Sequence, residues 1–474
     1  MEKIDPFIKK MHRESLPEAA IDAFAALFRQ FSSGTAPTIN ESELCPLNRE
    51  EISDSTQFGR YETKGNESLP QTAAIKLNGG LGTTMGMRGP KSLITVKNGL
   101  TFLDITLRQI LYLNRHCRTA LPLVLMNSFF TDTATRKALA DSRGLGPGLP
   151  RNFPQCLIQH KFPKVLETTL EPASCPSEPS LEWHPAGHGD LFLSLHTSGL
   201  LERLMSAGCH YLFVSNIDNL GAEIDPRILG YFAGEELDFL MEVTERTNMD
   251  RKGGHLARLK NGRFVLREAA QCDPASTDAG SFSDITRHPF FNTNNLWITC
   301  EAVQRFVRQG KFRDLPLVIN RKQLSPRDPA SPPVCHLESA LGSAISLFEK
   351  SAAVLVPRSR FAPVKNCDEL LLAWSDYYVL GPDFRLCVNP ARTAAPMMLK
   401  LDPEYYSTLD FLQSRFPHGA PSLVNGEAFT VSGDVKFGSN TAVRGAVSLI
   451  NRTSAQVLIE DNAVLTGSLT FPPR

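Results

Sequence analysis

Residues 74–92 read AIKLNGGLGTTMGMRGPKS, an apolar strand that opens into a loop with five glycines and two cations, Arg88 and Lys91. Glycine lets peptide N–H groups approach an anion closely, and successive N–H groups in such a loop form an anion-binding concavity. The stretch therefore predicts a loop that binds a polyphosphate at the end of a strand. The alternative is a loop that only connects two elements, since glycine-rich connections are common.

Two familiar phosphate motifs fit this loop incompletely. Gly80, Gly82 and Gly86 follow the spacing G-x-G-x-x-x-G, one residue longer than the dinucleotide fingerprint, and no helical periodicity begins within them. Residues 86–92 end like a Walker A loop, but Pro90 stands before Lys91 and removes one N–H donor. The spacing argues against an NAD-dependent dehydrogenase and departs from the standard P-loop.

Length and composition restrict the class of protein. The chain has 474 residues, 42% of them hydrophobic, which predicts about three globular domains. Fifty basic and fifty acidic residues cancel, so no overall charge favours nucleic acid or an anionic membrane, and no apolar run predicts a membrane span. Ten scattered cysteines without a C-x-x-C pair indicate free thiols in a reducing compartment. We expect a cytoplasmic protein with small-molecule partners.

The order of elements predicts the fold. Residues 1–60 carry helical periodicity and predict an N-terminal helical arm, and residues 61–388 alternate strands with helices, which is typical of a largely parallel α/β sheet. The apolar spacing from Leu337 to Phe348 predicts a further helix, and Asn261-Gly262 predicts a hairpin. Residues 389–474 lose the helical pattern, and their recurring apolar and glycine residues favour a β-helix only slightly over a β-sandwich.

Two further segments combine apolar elements with polar ends. Gly187-His188-Gly189-Asp190 precedes an apolar helix, where the helix dipole favours anions; the alternative is a simple cap with Asp190 at the N-cap. Phe213–Gly221 is a strand that ends in Asn216 and Asp218, and a carboxylate there is suited to Mg²⁺ beside substrate phosphates. Asx residues in turns are also commonly structural.

A third group of segments offers amide, carboxylate and cationic side chains. Gly253-Gly254, Glu268 and the run from Phe291 to Trp297 have groups suited to sugar hydroxyls, although each alone is typical of a turn or strand end. Residues 356–365, VPRSRFAPVK, follow an apolar strand and end in Lys365. The alternative to a functional role for this run is a basic surface loop that only contacts solvent.

Taken together, these motifs resemble the eukaryotic-type UTP:glucose-1-phosphate uridylyltransferase family. The loop resembles L-N-G-G-L-G-T-[TS]-M-G-x-x-G-P-K-S, and the later segments resemble P-P-G-H-G-D, N-x-D-N-L-G-A, K-x-G-G, E-x-A-Q, F-N-T-N-N-L-W and V-P-R-S-R-F-x-P-V-K, in the same order. The resemblance runs from about residue 40 to the segment at 431–435. Ala186, His160, Lys164 and His336 depart from the pattern.

The resemblance implies a fold and a reaction. The fold is a Rossmann-like mixed sheet of the nucleotidyltransferase (glycosyltransferase-A-like) type with a C-terminal left-handed β-helix, through which homo-oligomers would form. The reaction converts UTP and glucose 1-phosphate into UDP-glucose and pyrophosphate with Mg²⁺. A broad-specificity UDP-sugar pyrophosphorylase that accepts galactose 1-phosphate, or a noncatalytic sugar-nucleotide sensor, is the alternative.

The resemblance also implies roles for individual residues. Lys91 and Lys365 are the expected electrostatic catalysts, and Asp218 is the expected metal ligand. The expected nucleotide-binding residues are Gly79, Gly80, Leu81, Met126, Gln159, Gly187 and Asp218. The expected sugar-phosphate-binding residues are His188, Asn216, Gly254, Glu268, Asn292 and Asn294.

Overall fold

The computed structural model describes residues 3–34, 38–87, 89–141, 155–272, 278–326, 328–394 and 396–472. Its centre is a large sheet of eleven strands. Eight of them, numbered in chain order, form one continuous path: β1 (Ser53–Asp54), β2 (Thr72–Asn78), β3 (Leu123–Asn127), β4 (Gln155–Ile158), β5 (Tyr211–Asn216), β6 (Phe239–Glu245), β7 (Phe290–Thr299) and β8 (Ser351–Leu355).

The strands lie in the order β1-β8-β6-β7-β5-β2-β3-β4. All neighbours along this path are parallel except those of β7, which runs antiparallel to both β5 and β6. β2 and β3 are buried almost throughout, as expected for strands covered on both faces. The predicted α/β sheet is therefore confirmed as a mixed sheet.

Three shorter strands extend the sheet beside β7. The hairpin His255–Leu259 and Phe264–Arg267 turns at Asn261-Gly262, as the sequence predicted, and its first strand also pairs with Leu44–Cys45. A single pairing between His255 and Phe291 joins the hairpin to β7. This connection brings the segment that contains Glu268 to the edge of the central sheet.

Helices cover both faces of the sheet. The helices described in the sheet region are Glu62–Ser68, Phe102–His116, Asp132–Asp141, Leu191–Thr197, Leu200–Ser206, Pro226–Gly234, Asp278–Phe282, Cys300–Arg308 and Cys367–Trp374. The N-terminal residues form two helices, Asp5–Arg13 and Glu18–Ser32, whose Phe24 packs edge-to-face on Phe162. The N-terminal helices thus share their apolar core with one face of the sheet.

The helix predicted from Leu337 to Phe348 is wrong. Residues Pro333–Ser339 form a strand that pairs with Leu317–Gln323, and only a short 3₁₀ helix, Gly342–Leu347, follows it. Cys335, Leu337 and Ser339 are buried in alternation, which is the period of a strand. The apolar spacing thus arises from two adjoining elements.

The C-terminal residues form parallel strands that succeed one another along the chain. Met398–Leu401, Gly426–Ser432, Ala442–Asn451 and Val464–Phe471 form a four-stranded sheet, and Val435–Phe437 pairs with Val457–Ile459. Gly445 and Gly467 have positive φ and lie where the register shifts, which agrees with their predicted place at corners. A parallel sheet of consecutive strands fits a coil better than an antiparallel sandwich.

Two properties of the whole fold bear on the search for a site. No helix among the described residues is long and apolar enough to cross a membrane. A cavity of about 320 Å³ lies between helices Phe102–His116 and Pro226–Gly234, with Lys76 in its wall. None of the predicted site residues lines that cavity, so the site is sought at the strand ends instead.

Candidate active site

The predicted nucleotide residues meet at one edge of the sheet. β2, β3, β4 and β5 are parallel, so their carboxyl ends lie on the same side. The loop from Gly79 follows β2, Gln159 follows β4, and Asp218 follows β5. Ligands of open α/β sheets bind at this edge.

The glycine-rich loop is closed on itself by backbone contacts. Leu81 forms a bridge with Pro90, and the N–H of Lys91 donates to the carbonyl of Gly80 at 3.2 Å. Lys91 then begins the short 3₁₀ helix Lys91–Leu93. The backbone of Lys91 is therefore fixed beside the glycines, whereas Arg88 lies outside the described residues.

The ammonium group of Lys91 pairs with Asp218. Its Nζ lies 2.5 Å from Asp218 Oδ2, and both side chains are about five-sixths buried, with 16% and 15% exposure. The two residues are 127 positions apart in the chain. The predicted catalytic lysine and the predicted metal ligand thus occupy one place at the strand ends.

Gln159 has the features of a side chain that binds a ligand. It is 7% exposed, and its Oε1 has no hydrogen-bond partner among the residues that the structure describes. Gly79 is in contact with it, because a Cβ at Gly79 would overlap Gln159 Nε2. Met126 is buried on the neighbouring β3. A buried amide with a free acceptor is suited to pair with the edge of a base.

The Gly187-His188 segment is held against the strand Pro333–Ser339. Gly187 has a φ of 92°, and a Cβ there would lie 2.7 Å from the carbonyl oxygen of Ser339. His188 Nδ1 accepts the N–H of Leu341 at 3.0 Å, and burial lowers the pKa of His188 to about 4. The ring is therefore neutral near pH 7 and carries its proton on Nε2, which is a donor for an anionic oxygen.

Asp190 links this segment to the residues that follow β4. The carboxylate occupies the N-cap position of helix Leu191–Thr197 without a capping hydrogen bond. It accepts the N–H of His160 at 2.7 Å, contacts His160 Nδ1 at 2.8 Å and accepts the Ser194 hydroxyl. Asp190 therefore stands at the predicted N-cap position, but its carboxylate binds His160, next to Gln159, and does not cap the helix. Sequence reasoning noticed His160 only as a departure from the family pattern.

This buried pair gives a testable pH dependence. Burial opposes the charged form of His160, but the charge and hydrogen bond of Asp190 outweigh it and raise the pKa of His160. Its stabilising contribution is full below the unfolded pKa of about 6.5 and is lost as the pH rises through the raised folded pKa. We expect His160→Ser to lower Tm by several degrees near pH 6 and by clearly less near pH 9.

Thermal unfolding of wild type and His160→Ser at both pH values checks this prediction. His12→Ser is the matched control, because His12 pairs with Glu18 at 3.5 Å while both side chains are exposed. Solvent screening makes that pair weak at any pH. A Tm difference for His160→Ser that is the same at both pH values would contradict the assigned ion pair.

The predicted sugar-side asparagines form a connected group. Asn294 Nδ2 donates to Asn216 Oδ1 at 2.9 Å, and the Asn294 N–H donates to Asn292 Oδ1 at 2.9 Å. The register of β7 shifts here, and Asn294 has a φ of 58°. Such a bulge re-aims a side chain, and Asn294 Oδ1 is buried without a partner among the described residues.

Gly254 and Glu268 form the other part of the sugar side. A Cβ at Gly254 would lie 2.6 Å from the Glu268 carboxyl carbon, so this glycine lets the carboxylate lie against the backbone. Burial raises the pKa of Glu268, and the charge of Lys365 partly offsets that rise. A buried carboxylate near a cation is suited to accept hydrogen bonds from sugar hydroxyls.

The segment that carries Lys365 adjoins the Lys91–Asp218 pair, because the Val364 N–H donates to the Asp218 carbonyl at 3.3 Å. Burial raises the pKa of Glu369, while a hydrogen bond from the Lys365 N–H and the charges of Lys365 and Lys91 lower it. Lys365 Nζ also lies 5.7 Å and 5.4 Å from the ring centres of Phe291 and Phe361. Lysines from opposite ends of the sheet region thus approach one location.

The fit of a divalent cation depends on the available oxygen ligands. Mg²⁺ binds through one or two carboxylates plus substrate phosphates and water, and the largely buried Asp218 at the phosphate loop fits that pattern. Among the described residues, His184, His336 and Glu338 also approach one another as potential ligands. His184 is already saturated, because Nδ1 donates to Pro185 O at 2.8 Å and Nε2 accepts the Leu337 N–H at 3.3 Å.

The mixed sheet, the closed glycine-rich loop and the converging lysines define a nucleotide-binding α/β protein. Residues 21–444 match the family model described as UTP--glucose-1-phosphate uridylyltransferase. The chain belongs to this family.

Named relatives and solved structures agree with this assignment. The chain is 41% identical to the UTP--glucose-1-phosphate uridylyltransferase of Encephalitozoon cuniculi, covering 86% of this chain and 79% of the relative, and 36% identical to that of Saccharomyces cerevisiae, covering 95% and 89%. A mutant UDP-glucose pyrophosphorylase of Leishmania major in complex with UDP-glucose superposes with a TM-score of 0.91 at 39% identity, over 99% of both chains. The Trypanosoma brucei UDP-glucose phosphorylase gives 0.90 at 38% identity over the whole of both chains.

Proposed function

We propose that this protein transfers a uridylyl group from UTP to glucose 1-phosphate and releases pyrophosphate. The position of the Lys365 segment beside the Lys91–Asp218 pair at the strand ends carries the proposal, because the Val364 N–H donates to the Asp218 carbonyl at 3.3 Å. Two cations at that place suit a reaction between two anions, which repel each other unless their charges are balanced. Family membership agrees with this reaction.

The reaction is an in-line displacement at the α-phosphorus of UTP. A phosphate oxygen of glucose 1-phosphate forms the new P–O bond, and the bond to the bridging α–β oxygen breaks, so that pyrophosphate leaves with that oxygen. A phosphate monoester is a competent nucleophile, so no side-chain nucleophile is required. The protein contributes positioning and charge stabilisation.

Each group of residues has a role in this reaction. The loop residues Gly79, Gly80 and Leu81 supply close backbone contacts for the nucleotide, and Gln159 reads the uracil edge beside Met126 and Gly187. Lys91 stabilises charge on the transferring phosphoryl group, and Lys365 balances the incoming sugar phosphate. The neutral His188 donates from Nε2 to a phosphate oxygen. The sugar contacts come from Asn216, Gly254, Glu268, Asn292 and Asn294.

We further infer that Asp218 holds Mg²⁺ together with UTP oxygens. The bound ion would neutralise phosphate charge and act as a Lewis acid. Asp218 is largely buried and lies next to the phosphate loop, which supports this role. Its pairing with Lys91 keeps the ammonium group close to the phosphates.

The same family resemblance supports three broader proposals. The parallel C-terminal strands belong to a left-handed β-helix, and homo-oligomers form through that region. The protein acts in the cytoplasm, which agrees with ten cysteines that form no disulfide among the described residues. Size measurement in solution before and after removal of residues 389–474 tests the oligomer proposal.

A substrate panel tests the proposed function. We expect turnover with UTP and glucose 1-phosphate and at least ~10²-fold lower kcat/KM with ATP, because a site built to pair with one base edge leaves its polar groups unpaired with another. Pyrophosphate release is measured for UTP, CTP and ATP with glucose 1-phosphate and galactose 1-phosphate. Gln159→Ala should reduce the preference for UTP over CTP.

The alternatives give distinct outcomes in the same panel. Comparable kcat/KM with galactose 1-phosphate indicates the broad-specificity enzyme. UTP binding by calorimetry without turnover of any pair indicates the noncatalytic sensor. Equal turnover with ATP would contradict the assignment of Gln159.

A further inference from the structure

The backbone before Lys365 is docked on the turn that carries Asp218. The Val364 N–H donates to the carbonyl of Asp218 at 3.3 Å, and Pro363 forms a bridge with Asn219. The Ala362 N–H donates to Asn219 Oδ1 at 2.9 Å. The two segments that carry Lys365 and Asp218 therefore have a fixed relative position.

Asn219 makes most of this connection. The side chain is 1% exposed, and Nδ2 donates to the Arg360 carbonyl at 3.1 Å and to Asn295 Oδ1 at 3.2 Å. Oδ1 accepts the N–H of Gly221 at 3.3 Å in addition to that of Ala362. Because its donors and acceptor are all engaged within the protein, Asn219 has no capacity left for a substrate.

The other end of the connection is anchored in the sheet. The Arg360 guanidinium binds the Glu242 carboxylate at 2.9 and 2.7 Å. Burial opposes the charged form of Arg360, but the charge and hydrogen bonds of Glu242 outweigh it and keep the pKa of Arg360 above its usual value. Glu242 is fully buried on β6 and also accepts Trp297 Nε1 at 3.0 Å and Asn295 Nδ2 at 3.0 Å. A bidentate pair of this kind, whose carboxylate also accepts two further hydrogen bonds, fixes the Arg360 carbonyl that Asn219 contacts.

Gly221 allows the two segments to approach. A Cβ at Gly221 would overlap the carbonyl oxygen of Ser359 and lie 3.0 Å from the carbonyl carbon of Arg360. Its φ lies outside the left-handed region, so alanine is compatible with the backbone but not with the space. The close approach is thus a second, independent observation that the Asp218 turn and residues 359–360 are held at a fixed distance.

We infer that Asn219 is a positioning residue that holds Lys365 in register with Asp218 and Lys91. It touches neither substrate nor metal and acts through the backbone of residues 360–364. The inference rests on the proposed uridylyl transfer, because its effect is read in that reaction. Lys365 then reaches the phosphates from a fixed backbone, and only its side chain has to move.

The first experiment replaces Asn219 by alanine. A displacement of about 1 Å at a reacting group costs on the order of 10²-fold in rate, so we expect kcat to fall between about 10-fold and 10²-fold, while the Kd of UTP from calorimetry changes less than about 3-fold. Asn114→Ala is the matched control, because Asn114 is also buried and holds both backbone groups of Leu121. It should lower Tm similarly and leave kcat near wild type.

A double variant tests whether Asn219 acts through Lys365. If it does, Asn219→Ala combined with Lys365→Ala loses little more kcat than Lys365→Ala alone, since the lysine to be positioned is gone. Losses that multiply, or a kcat for Asn219→Ala that matches the Asn114→Ala control, overturn the inference.

Gly221→Ala provides an independent variant that keeps every polar group. The added methyl pushes residues 359–360 away from the Asp218 turn, so kcat should fall as for Asn219→Ala, again without extra loss in the Lys365→Ala background. Gly59→Ala is the control, since a Cβ there meets nothing within 4 Å. If the wild-type protein shows no turnover, the proposed function is rejected. If the wild type is active and the kcat values of Gly221→Ala and Asn219→Ala are unchanged, only the positioning role is rejected.

Discussion

Lys91→Ala should lower kcat on the order of 10²-fold or more, with a smaller change in KM for UTP. The ammonium group lies at the phosphate loop, and its electrostatic stabilisation is strongest when charge builds up on the transferring phosphoryl group. Its removal should therefore raise the activation barrier of the transfer more than it weakens ground-state binding. Steady-state kinetics in both directions of the reaction measure this effect. Lys91→Arg should recover part of kcat, because it retains the charge beside Asp218 but changes its position.

The control for this prediction is Lys97→Ala. Lys97 lies six residues further along and donates to the carbonyl of Trp374 at 3.4 Å, so it contributes to packing but does not face Asp218. Its removal should lower Tm and leave kcat within about 3-fold of wild type, since it makes no contact with the reacting groups. Lys91→Ala that is folded and turns over like Lys97→Ala would remove Lys91 from the mechanism.

The sequence was sufficient to predict most strands of the sheet, but it predicted neither β7 as a strand nor its direction. The strands around Ile75, Leu125, Val214 and Met241 are short apolar runs, and such a run indicates a buried strand from the local sequence alone. The antiparallel direction of β7 depends on which neighbours it pairs with, and pairing over long distances leaves no local signal. The wrongly predicted helix after Leu337 shows the same limit, because the apolar residues of a strand and of the 3₁₀ helix that follows it can together have the spacing of a single α-helix.

The sequence also indicated which residues belong to the site better than it indicated their contacts. Glycines, lysines and Asx residues at strand ends are recognisable because parallel strands bring such ends together. Which of them pair is a property of the folded chain: Lys91 with Asp218, Asn216 with Asn294, and His160 with Asp190. Asn219 was passed over as a turn residue, although the glycine that follows it, Gly221, is compatible with a close approach of another backbone segment.

Removal of divalent cations should abolish turnover, the largest effect that we expect. With the ion gone, the charge of the triphosphate is balanced by lysines alone, and the leaving pyrophosphate loses its principal counter-charge. Activity is measured after treatment with excess chelator and after restoration of Mg²⁺. Full activity in the chelator would refute the metal requirement.

Asp218→Asn assigns the metal ligand within that requirement. A neutral amide is a poorer ligand for a hard cation, so the Mg²⁺ concentration for half-maximal turnover should rise about 10-fold or more, and calorimetry should show UTP binding that responds less to Mg²⁺. Asp225→Asn is the matched control, because Asp225 is a buried carboxylate that pairs with Arg227 at 2.7 Å on the same loop. Since Asp218→Asn also frees Lys91, a fall in kcat alone does not identify a ligand; the shift in the Mg²⁺ titration does. A titration that coincides with that of Asp225→Asn would leave Asp218 as only the ion-pair partner of Lys91.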